Sequence, residues 1–398
     1  MLRSFRLGNH RSFRDEQELL LMPAYSKDRE VLPVAAIYGA NASGKSNLLD
    51  GLDFMRRAVR DSFAAWRPEA GVPRRAFAFA DEERPSVFVV ELVLDDVRYT
   101  YGFEVDDRNV REEWLYSYPA SRKRVLFERD GNGLRFGSTV EDRPRLEVLG
   151  SLLRPNALFL SLAAQSSSAL VQPVWGWFTE GLRFRVEVNA PVNEDAITDF
   201  LIANRADHRR IVDLVRVADL GISSLHLLEV ARHDGSIRHD LFLAHGSAEV
   251  VLPFSDESAG TRSWLELLPT ALTVLRTGGT LVIDEIDASL HPRLTAALVG
   301  LFRDPEANSR EAQLLFTTHD ASLLSPVLGD EVLTREDVWF VNKGDDGASE
   351  LYALTDFKPR REGENLERRY LGGSYGAVPD VQAEALVSAV LRGVDGQA

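Results

Sequence analysis

The sequence predicts an α/β protein with a mixed core sheet, an antiparallel β subdomain and a helical insertion. An apolar run, a glycine loop and an amphipathic helix follow one another over residues 31–59. Residues 86–136 alternate apolar and polar side chains between turn sequences, which is typical of antiparallel strands. From residue 256 onward helical and strand patterns alternate, which indicates a parallel sheet. We therefore expect a core assembled from both ends of the chain.

The composition is that of a folded chain longer than an average single domain, with 398 residues. Hydrophobic residues make up 44% and cysteine is absent, which excludes disulfides and thiolate metal sites. Residues 1–17 are too charged for a secretion signal, and no apolar run reaches the ~20 residues that cross a bilayer. We expect a cytoplasmic protein with no membrane partner.

The net charge of −15 disfavours broad, nonspecific affinity for nucleic acids, because dedicated DNA-binding domains are usually basic. DNA stays among the candidate partners only through a local patch. Basic runs lie at 122–124, 205–210 and 358–361. Such runs are more often solvated surface, and these lack interleaved aromatic residues for base stacking.

Residues 39–47, GANASGKSN, predict a loop that holds nucleotide phosphates. Glycines at 39 and 44 leave bare backbone where a polyanion approaches, Lys45 reaches the outer phosphates, and the Ser46 hydroxyl binds magnesium. The following helix directs its N-terminus at the same anion. A glycine turn that opens a helix is the ordinary alternative, but the pattern and both flanks favour nucleotide binding. The predicted binding residues are Gly39, Asn41, Ala42, Ser43, Gly44, Lys45, Ser46 and Asn47.

Two later strand patterns supply the rest of the predicted site. The run TLVI is followed directly by two acids. Asp284 is predicted to hold magnesium, and Glu285 is predicted to orient and deprotonate the attacking water. The run LLFTTHD places His319 at the end of another strand, where its imidazole can donate a hydrogen bond to a γ-phosphate. Solvated acids and a structural histidine are the alternatives. Glu285, Lys45 and His319 are thus the catalytic candidates.

These motifs resemble those of ABC-type ATPases of the SMC, RecF and overlapping-lesion-degradation (OLD) nuclease group. GANASGKS is similar to Walker A, LVIDE to Walker B, and TTHD to the H-loop; IDASLHP resembles the D-loop, with Asp287 as its acid. DESAGTR, at 256–262, resembles the signature motif but departs from the LSGGQ form of transporters. Its Ser258 and Gly260 would contact the γ-phosphate bound on the opposite subunit.

The resemblance implies a P-loop ABC-type ATPase head that uses ATP and Mg²⁺. It also implies a homodimer, or a higher homo-oligomer, that closes around two ATP molecules. NHRSF resembles an N-terminal motif whose basic residue, here Arg11, approaches the nucleotide. Gln165 is the candidate Q-loop glutamine, a third magnesium contact beside Ser46 and Asp284 that senses the γ-phosphate; a surface glutamine is the alternative.

The domain organisation follows from these motifs. The tail is a candidate for partner docking, although a strap over the core is an equal interpretation of its residues. Residues 1–165 are the N-terminal half of the ATPase domain, with the P-loop and the antiparallel β subdomain, and 166–250 are a helical and β insertion. Residues 251–345 are the C-terminal half, with the signature, Walker B, D-loop and H-loop motifs, and 346–398 are the tail.

Residues 356–381, with PNALFLSLAAQ and REEWLYSYP, resemble RloA-like AAA-family ATPases of bacterial defence loci. This resemblance implies a sensor or regulator that controls a separately encoded effector. OLD-type nucleases carry a Toprim domain after the ATPase, whereas residues 321–398 hold no evident acidic metal cluster. We predict no nuclease activity in this chain and a separately encoded effector nuclease as partner, with the Toprim type as the candidate.

Three other functions fit the motifs less well. A DNA-repair or DNA-clamping ATPase of RecF or SMC type conflicts with the acidic charge and with the absence of long heptad repeats. A transporter ATPase conflicts with the divergent signature and the long antiparallel region. A nucleotide-dependent scaffold that barely hydrolyses ATP conflicts with the presence of Glu285.

Overall fold

The computed structural model describes most of the chain, and every structural statement below refers to that part. The basic run 358–361 and the tail motif 356–381 lie partly outside it. No helix in the described part is long and apolar enough to cross a membrane. The described residues are 1–25, 29–81, 83–185, 193–218, 221–231, 237–246, 250–288, 290–328, 331–359, 364–379, 388 and 390.

The strands and helices of this part, numbered along the chain, form three sheets with helices on and between them. The strands are β1 (Leu2–Gly8), β2 (Gln17–Leu20), β3 (Val34–Tyr38), β4 (Ser86–Leu94), β5 (Val97–Val105), β6 (Val110–Tyr118), β7 (Arg124–Asp130), β8 (Gly133–Phe136), β9 (Leu182–Arg185), β10 (Ile222–Ala231), β11 (Ile237–His245), β12 (Val250–Pro253), β13 (Thr280–Ile283), β14 (Gln313–Thr317), β15 (Val338–Lys343) and β16 (Ser349–Ala353). The helices are α1 (Lys45–Asp61), α2 (Arg143–Gly150), α3 (Phe159–Gln165), α4 (Gln172–Gly176), α5 (Glu194–Ala203), α6 (Arg205–Val217), α7 (Ala259–Thr277), α8 (Pro292–Arg303) and α9 (Leu366–Leu371).

The core sheet combines distant parts of the chain in the order β16-β15-β3-β14-β13-β9. Neighbouring strands are parallel except for the antiparallel pair β15 and β16, so the predicted mixed core sheet is confirmed. The sequence patterns did not predict β9, β15 or β16. β9 falls within the range 166–250 and β16 within 346–398, yet both strands pair within the core sheet.

The central strand β3 is buried on both faces, as expected of a strand that has helices on each side. Ala35 and Ile37 face a core that contains α1. Val34, Ala36 and Tyr38 face a second core that contains α7 and α8. Because both faces are packed, the loop that follows β3 leaves the sheet from a rigid base.

A seven-stranded antiparallel sheet confirms the predicted β subdomain, with strand order β2-β1-β4-β5-β6-β7-β8. β4 and β5 form the predicted hairpin, whose turn residues Asp95 and Asp96 both have positive φ, as a tight two-residue turn requires. α1 packs between this sheet and the core sheet, because one core cluster contains side chains of α1 and of both sheets. The phosphate-loop helix is thereby held from two sides.

A small sheet, β10-β11-β12, lies with α5 and α6 just before α7 in the chain. Asn193 caps α5 as the sequence predicts, since its side-chain oxygen accepts a hydrogen bond from the Ala196 amide. The last residue of β11, His245, places Nε2 2.6 Å from the carboxylate of Glu257. This contact ties the small sheet to the segment that leads into α7.

Candidate nucleotide site

The phosphate loop leaves β3 at Gly39 and enters α1 after Gly44. Gly44 has φ +117°, a conformation that side chains other than glycine rarely adopt. A Cβ atom at Gly39 would lie 2.4 Å from the Val341 carbonyl oxygen and 2.5 Å from the Ser43 hydroxyl. Both glycines of the motif are therefore required by the local geometry, and the loop keeps bare backbone beside the start of α1.

Lys45 is buried and folded back onto its own loop. Its Nζ donates hydrogen bonds to the carbonyl oxygens of Gly39 at 2.9 Å and Ala40 at 3.1 Å. Burial lowers the pKa of Lys45, and the nearby carboxylates of Glu285 and Asp284 act in the opposite direction. An ammonium group held this way by neutral carbonyls can exchange them for the charged oxygens of a phosphate.

Three side chains fix the loop, and two of them, Ser12 and Ser349, lie outside residues 39–47. Ser349 on β16 donates its hydroxyl hydrogen to the Ser43 carbonyl at 2.5 Å, and its oxygen lies 2.7 Å from the Ser12 hydroxyl oxygen. The amide of Asn47 donates to the same Ser12 hydroxyl at 2.7 Å. A side chain at Gly44 would collide with both serines. The loop is thus clamped between the N-terminal segment and β16, a contact that the motif itself does not predict.

Asp284 and Glu285 follow β13 and share one partner, Thr317 at the end of β14. The Thr317 hydroxyl donates to Asp284 Oδ1 at 2.5 Å and accepts from the Glu285 amide at 2.7 Å. Glu285 has φ +48°, a rare conformation for a glutamate, and it lines the cavity described below, whereas Asp284 is bonded to Thr317. The two carboxylates can therefore take different tasks.

His319 lies at the mouth of the same site, two residues beyond β14. Burial lowers the pKa of its imidazole, and the charge of Lys45 adds to this effect, while Asp287 opposes it. The backbone amide of His319 donates to both carboxylate oxygens of Asp287, at 3.2 and 3.3 Å. Asp287 therefore fixes the backbone of His319 in the same subunit.

These residues enclose a cavity of about 400 Å³ between the phosphate loop and the ends of β13 and β14. The cavity brings together the phosphate loop, the predicted base Glu285 and the predicted sensor His319. It also contains Lys343 at the end of β15, a second cation that the sequence motifs missed because no pattern surrounds it. The lining residues are Asn41, Ala42, Gly44, Lys45, Ser46, Asn47, Glu285, His319 and Lys343.

The cavity fits a magnesium–nucleotide complex. Two lysines face a space edged by bare glycine backbone, which suits a polyphosphate. Ser46 is exposed to the cavity, and Asp284 keeps Oδ2 free of any hydrogen bond recorded in the described residues. The described part of the chain holds no group of three or more acidic, histidine or cysteine side chains placed so that they could bind a metal ion by themselves. That is expected, because Mg²⁺ in such sites takes most ligands from water and substrate phosphates.

Several predicted residues do not line this cavity: Gly39, Ser43, Asp284 and Asp287 belong to the segments beside it, and Arg11 and Gln165 have other surroundings. Arg11 turns toward α1, where its Nε and Nη2 donate to Asp50 at 2.5 and 2.8 Å. Gln165 ends α3 as an exposed residue and does not line the cavity. In this arrangement Arg11 holds the N-terminal segment against α1, and contact of either residue with a nucleotide requires a movement of its side chain.

The signature residues lie apart from the cavity in the same subunit. Ser258 caps α7, since its hydroxyl accepts from the Thr261 amide at 3.1 Å. Ser258 is exposed and Gly260 is half-buried in the first turn of α7. Neither residue lines the cavity, so within one subunit they are free to contact another molecule.

Comparison with known proteins places this geometry in context. A family model described as an AAA domain, putative AbiEii toxin of a type IV toxin–antitoxin system, matches residues 34–325. No match to a curated protein is significant.

Three solved structures of SMC heads are similar at low sequence identity. An SMC head bound to the C-terminal winged-helix domain of ScpA shares 15% identity, with 90% of this chain and 99% of that chain covered and a TM-score of 0.46. The SMC head domain from Thermotoga maritima shares 14%, with 88% and 98% covered and a TM-score of 0.42. A Pyrococcus furiosus Smc head with an extended coiled coil, bound to the C-terminal domain of ScpA, shares 14%, with 90% and 97% covered and a TM-score of 0.44.

Proposed function

This chain belongs to the AAA domain family whose model covers residues 34–325, and from that premise we propose that it is an ATP-gated dimeric switch that regulates a separate effector. The observation that carries the proposal is the division of the site. One cavity holds Lys45, Glu285 and His319, while Ser258 and Gly260 lie outside it. A head-to-tail pair of subunits would complete each cavity with the signature residues of its partner.

The chemistry assigned to the cavity is ATP hydrolysis. Lys45 and Lys343 bind phosphate oxygens, and the Glu285 carboxylate takes a proton from the water that attacks the γ-phosphorus, so that ADP and phosphate leave. The imidazole N–H of His319 donates a hydrogen bond to the transferred phosphoryl group. A magnesium ion bound by Ser46 and Asp284 would neutralise charge on the phosphates. Hydrolysis removes the contacts that bridge two subunits, so whether ATP or ADP is bound determines how the two subunits are arranged.

The regulatory role is the finer part of the proposal. The family description refers to a toxin–antitoxin system, and the tail resembles RloA-like ATPases of defence loci. Both favour a bacterial anti-phage system in which this chain is the sensor and another protein, a nuclease, is the effector. Purified chain incubated with DNA and Mg²⁺ or Mn²⁺ should not cleave it; cleavage that Lys45→Ala does not abolish would place a nuclease in this chain.

The switch is tested by the mass of the particle in solution. Glu285→Gln should bind ATP, hydrolyse it slowly and double its mass by light scattering when ATP and Mg²⁺ are added. Lys45→Ala should lose this response with nucleotide binding, and Ser258→Arg should keep ATP binding but stay at the mass of its resting form. An unchanged mass of Glu285→Gln in saturating ATP would contradict the switch.

The effector is tested by purifying Glu285→Gln from its native host with ATP and Mg²⁺, followed by mass spectrometry. A stoichiometric nuclease that is absent from a parallel Lys45→Ala purification supports the regulatory role. Recovery of the ATPase alone with bound DNA would instead favour a DNA-clamping ATPase. Steep salt dependence of that DNA binding would then be expected.

A further inference from the structure

The backbone of Arg185 contacts the Walker B segment, and its side chain holds α7, which Ser258 caps and which is called the signature helix below. Arg185 ends β9, which pairs in parallel with β13 so that Arg185 lies opposite Ile283. The amide of the next residue, Asp284, donates to the Arg185 carbonyl at 3.1 Å. The main chain of Arg185 therefore fixes the position of the Asp284 backbone at the end of β13.

The guanidinium group of Arg185 reaches α7. Its Nη1 donates to the Ser263 carbonyl at 2.9 Å, and Nη2 donates to Glu266 Oε2 at 3.0 Å. The other Glu266 oxygen accepts from the Asn193 amide at 3.1 Å. Ser263 and Glu266 lie in the second turn of α7. Measured along the helix axis, both lie within about 12 Å of the cap residue Ser258.

This contact is sheltered enough to transmit a displacement. The Arg185 and Glu266 side chains are 22% and 26% exposed, so solvent screens the ion pair only in part. Burial lowers the pKa of Arg185 and Glu266 opposes this, but a guanidinium stays charged at any working pH. An ion pair with a second hydrogen bond to a helix carbonyl resists stretching and rotation more than an apolar contact.

We propose that Arg185 is a positioning residue that couples engagement of the signature helix to the placement of Asp284. The proposal rests on the proposed function, in which Ser258 meets the nucleotide of the opposite subunit. When that contact shifts α7, the guanidinium follows Ser263 and Glu266, and the Arg185 carbonyl carries the shift to the amide of Asp284. A subunit that has bound ATP but lacks its partner thus holds Asp284 out of its productive position.

The decisive variants are Arg185→Met, which keeps the backbone and length but removes the charge, and Glu266→Gln, which weakens the pair from the helix side. Arg183→Met is the matched control, because Arg183 lies two residues earlier on β9, is exposed, and within the described residues donates to the Glu180 carbonyl and not to α7. ATP affinity is measured with the Ser258→Arg change added, so that pairing does not contribute. Pair formation is measured with Glu285→Gln added, and kcat is measured without either.

We expect Arg185→Met to keep ATP affinity and pair formation within about twofold and to lose about tenfold to thirtyfold in kcat at saturating ATP, as for other residues that orient a metal ligand. Glu266→Gln should lose less, Arg183→Met nothing, and Arg185→Lys should recover part of the loss. A kcat of Arg185→Met within twofold of wild type would overturn the proposal. So would a loss of ATP affinity equal to the loss of kcat, since that indicates general damage to the fold.

Failure of the coupling and failure of the switch give different results. If the parent protein carrying only Glu285→Gln does not pair with ATP, the proposed function is wrong. If it pairs and Arg185→Met hydrolyses ATP normally, the switch stands and only the role of Arg185 is overturned. Should Arg185→Met not fold, Glu266→Gln alone decides, because it leaves Arg185 and the hydrogen bond to Ser263 in place.

Discussion

The Thr317 hydroxyl donates a 2.5 Å hydrogen bond to Asp284 Oδ1, and through this bond β14 orients the acid at the end of β13. The same hydroxyl accepts from the Glu285 amide. Thr317→Val keeps the shape of the side chain but leaves that amide and one carboxylate oxygen unpaired. We expect kcat for ATP hydrolysis to fall about tenfold, as loss of one hydrogen bond to a charged group implies.

Steady-state kinetics and nucleotide titration test this prediction together. Because Thr317 does not line the cavity, the dissociation constant for ATP without magnesium should change little. Thr317→Ser retains the hydroxyl and is the control, with activity near that of wild type. Equal activity of the valine and serine variants would show that the hydroxyl does not orient Asp284.

Lys343 should contribute to ATP binding although it belongs to no motif. It is an exposed cation at the end of β15 that faces the phosphate loop across the cavity. Two opposite unit charges about 4 Å apart in a solvated site attract each other by about 1 kcal/mol. Lys343→Ala should therefore weaken ATP binding about fivefold in calorimetry and AMP binding less, while the neighbouring change Asn342→Ala leaves both unchanged. Equal losses for ATP and AMP would contradict a phosphate contact.

The contact between Asp50, Arg11 and His10 should stabilise the fold in a pH-dependent way. Burial alone would raise the pKa of Asp50, but hydrogen bonds from His10 and Arg11 outweigh burial and hold that pKa well below its usual value of 3.8. A depressed carboxyl pKa contributes stability that is present above pH 3.8 and is lost as the pH falls toward the folded value. Asp50→Asn should lower the free energy of unfolding by about 2 kcal/mol at pH 7.

Urea unfolding of wild type and Asp50→Asn at pH 7, 5 and 3.5 measures this effect. The difference between the two proteins should be constant from pH 7 to 5 and smaller at pH 3.5. A difference that grows on acidification would mean that Asp50 is not the stabilising partner.

The buried carboxylate of Glu113 should be essential for the junction between the β subdomain and α3. It accepts hydrogen bonds from the Phe159 amide at 2.6 Å, the Leu160 amide at 3.0 Å and the Tyr101 hydroxyl at 3.0 Å. Arg129 Nη1 lies 3.9 Å away and is equally buried. Glu113→Ala would leave these donors unpaired, so we expect a loss of about 3–5 kcal/mol in the free energy of unfolding.

Denaturant unfolding and ATPase assays on Glu113→Ala and Glu113→Gln separate two effects. The glutamine keeps an acceptor for one or two donors, so its loss of stability should be smaller. Since α3 ends at Gln165, a fall in kcat of folded Glu113→Gln would link the contact between Glu113 and the start of α3 to the nucleotide site. A stability of Glu113→Ala equal to that of wild type would contradict the assigned role.

The fold was predictable where local patterns are strong. The run before Gly39, the hairpin with Asp95 and Asp96 at its turn, and α7 with its glycine end were each read from periodicity and turn chemistry, and the mixed core sheet followed. The strand β9 was missed because its four residues, LRFR, alternate apolar side chains with arginines, whereas a strand of a buried parallel sheet is expected to be apolar throughout. β15 begins with the apolar run VWFV, but it lies with β16 beyond the last motif, and neither strand was predicted.

The candidate site was predictable for residues within motifs and obscure for those that act across the fold. Lys45, Glu285 and His319 meet in one cavity, as their motifs imply, but their catalytic roles stay predictions. Thr317 lies inside the TTHD motif, yet its contact with Asp284 needs the pairing of β13 with β14. Arg11 was assigned to the nucleotide from its motif, whereas its partner Asp50 is 39 residues away and no sequence pattern joins them.

The position of β3 between β14 and β15 has a consequence for biosynthesis. The strand before the phosphate loop leaves the ribosome early, but its two sheet neighbours are Gln313–Thr317 and Val338–Lys343. Its edges therefore stay unpaired until most of the polypeptide has been made. During that time the nascent chain cannot assemble an ATP-binding cavity, and a product released early would carry the whole phosphate-loop motif without its activity. The lining of the candidate cavity is therefore complete only after residue 343 has been translated.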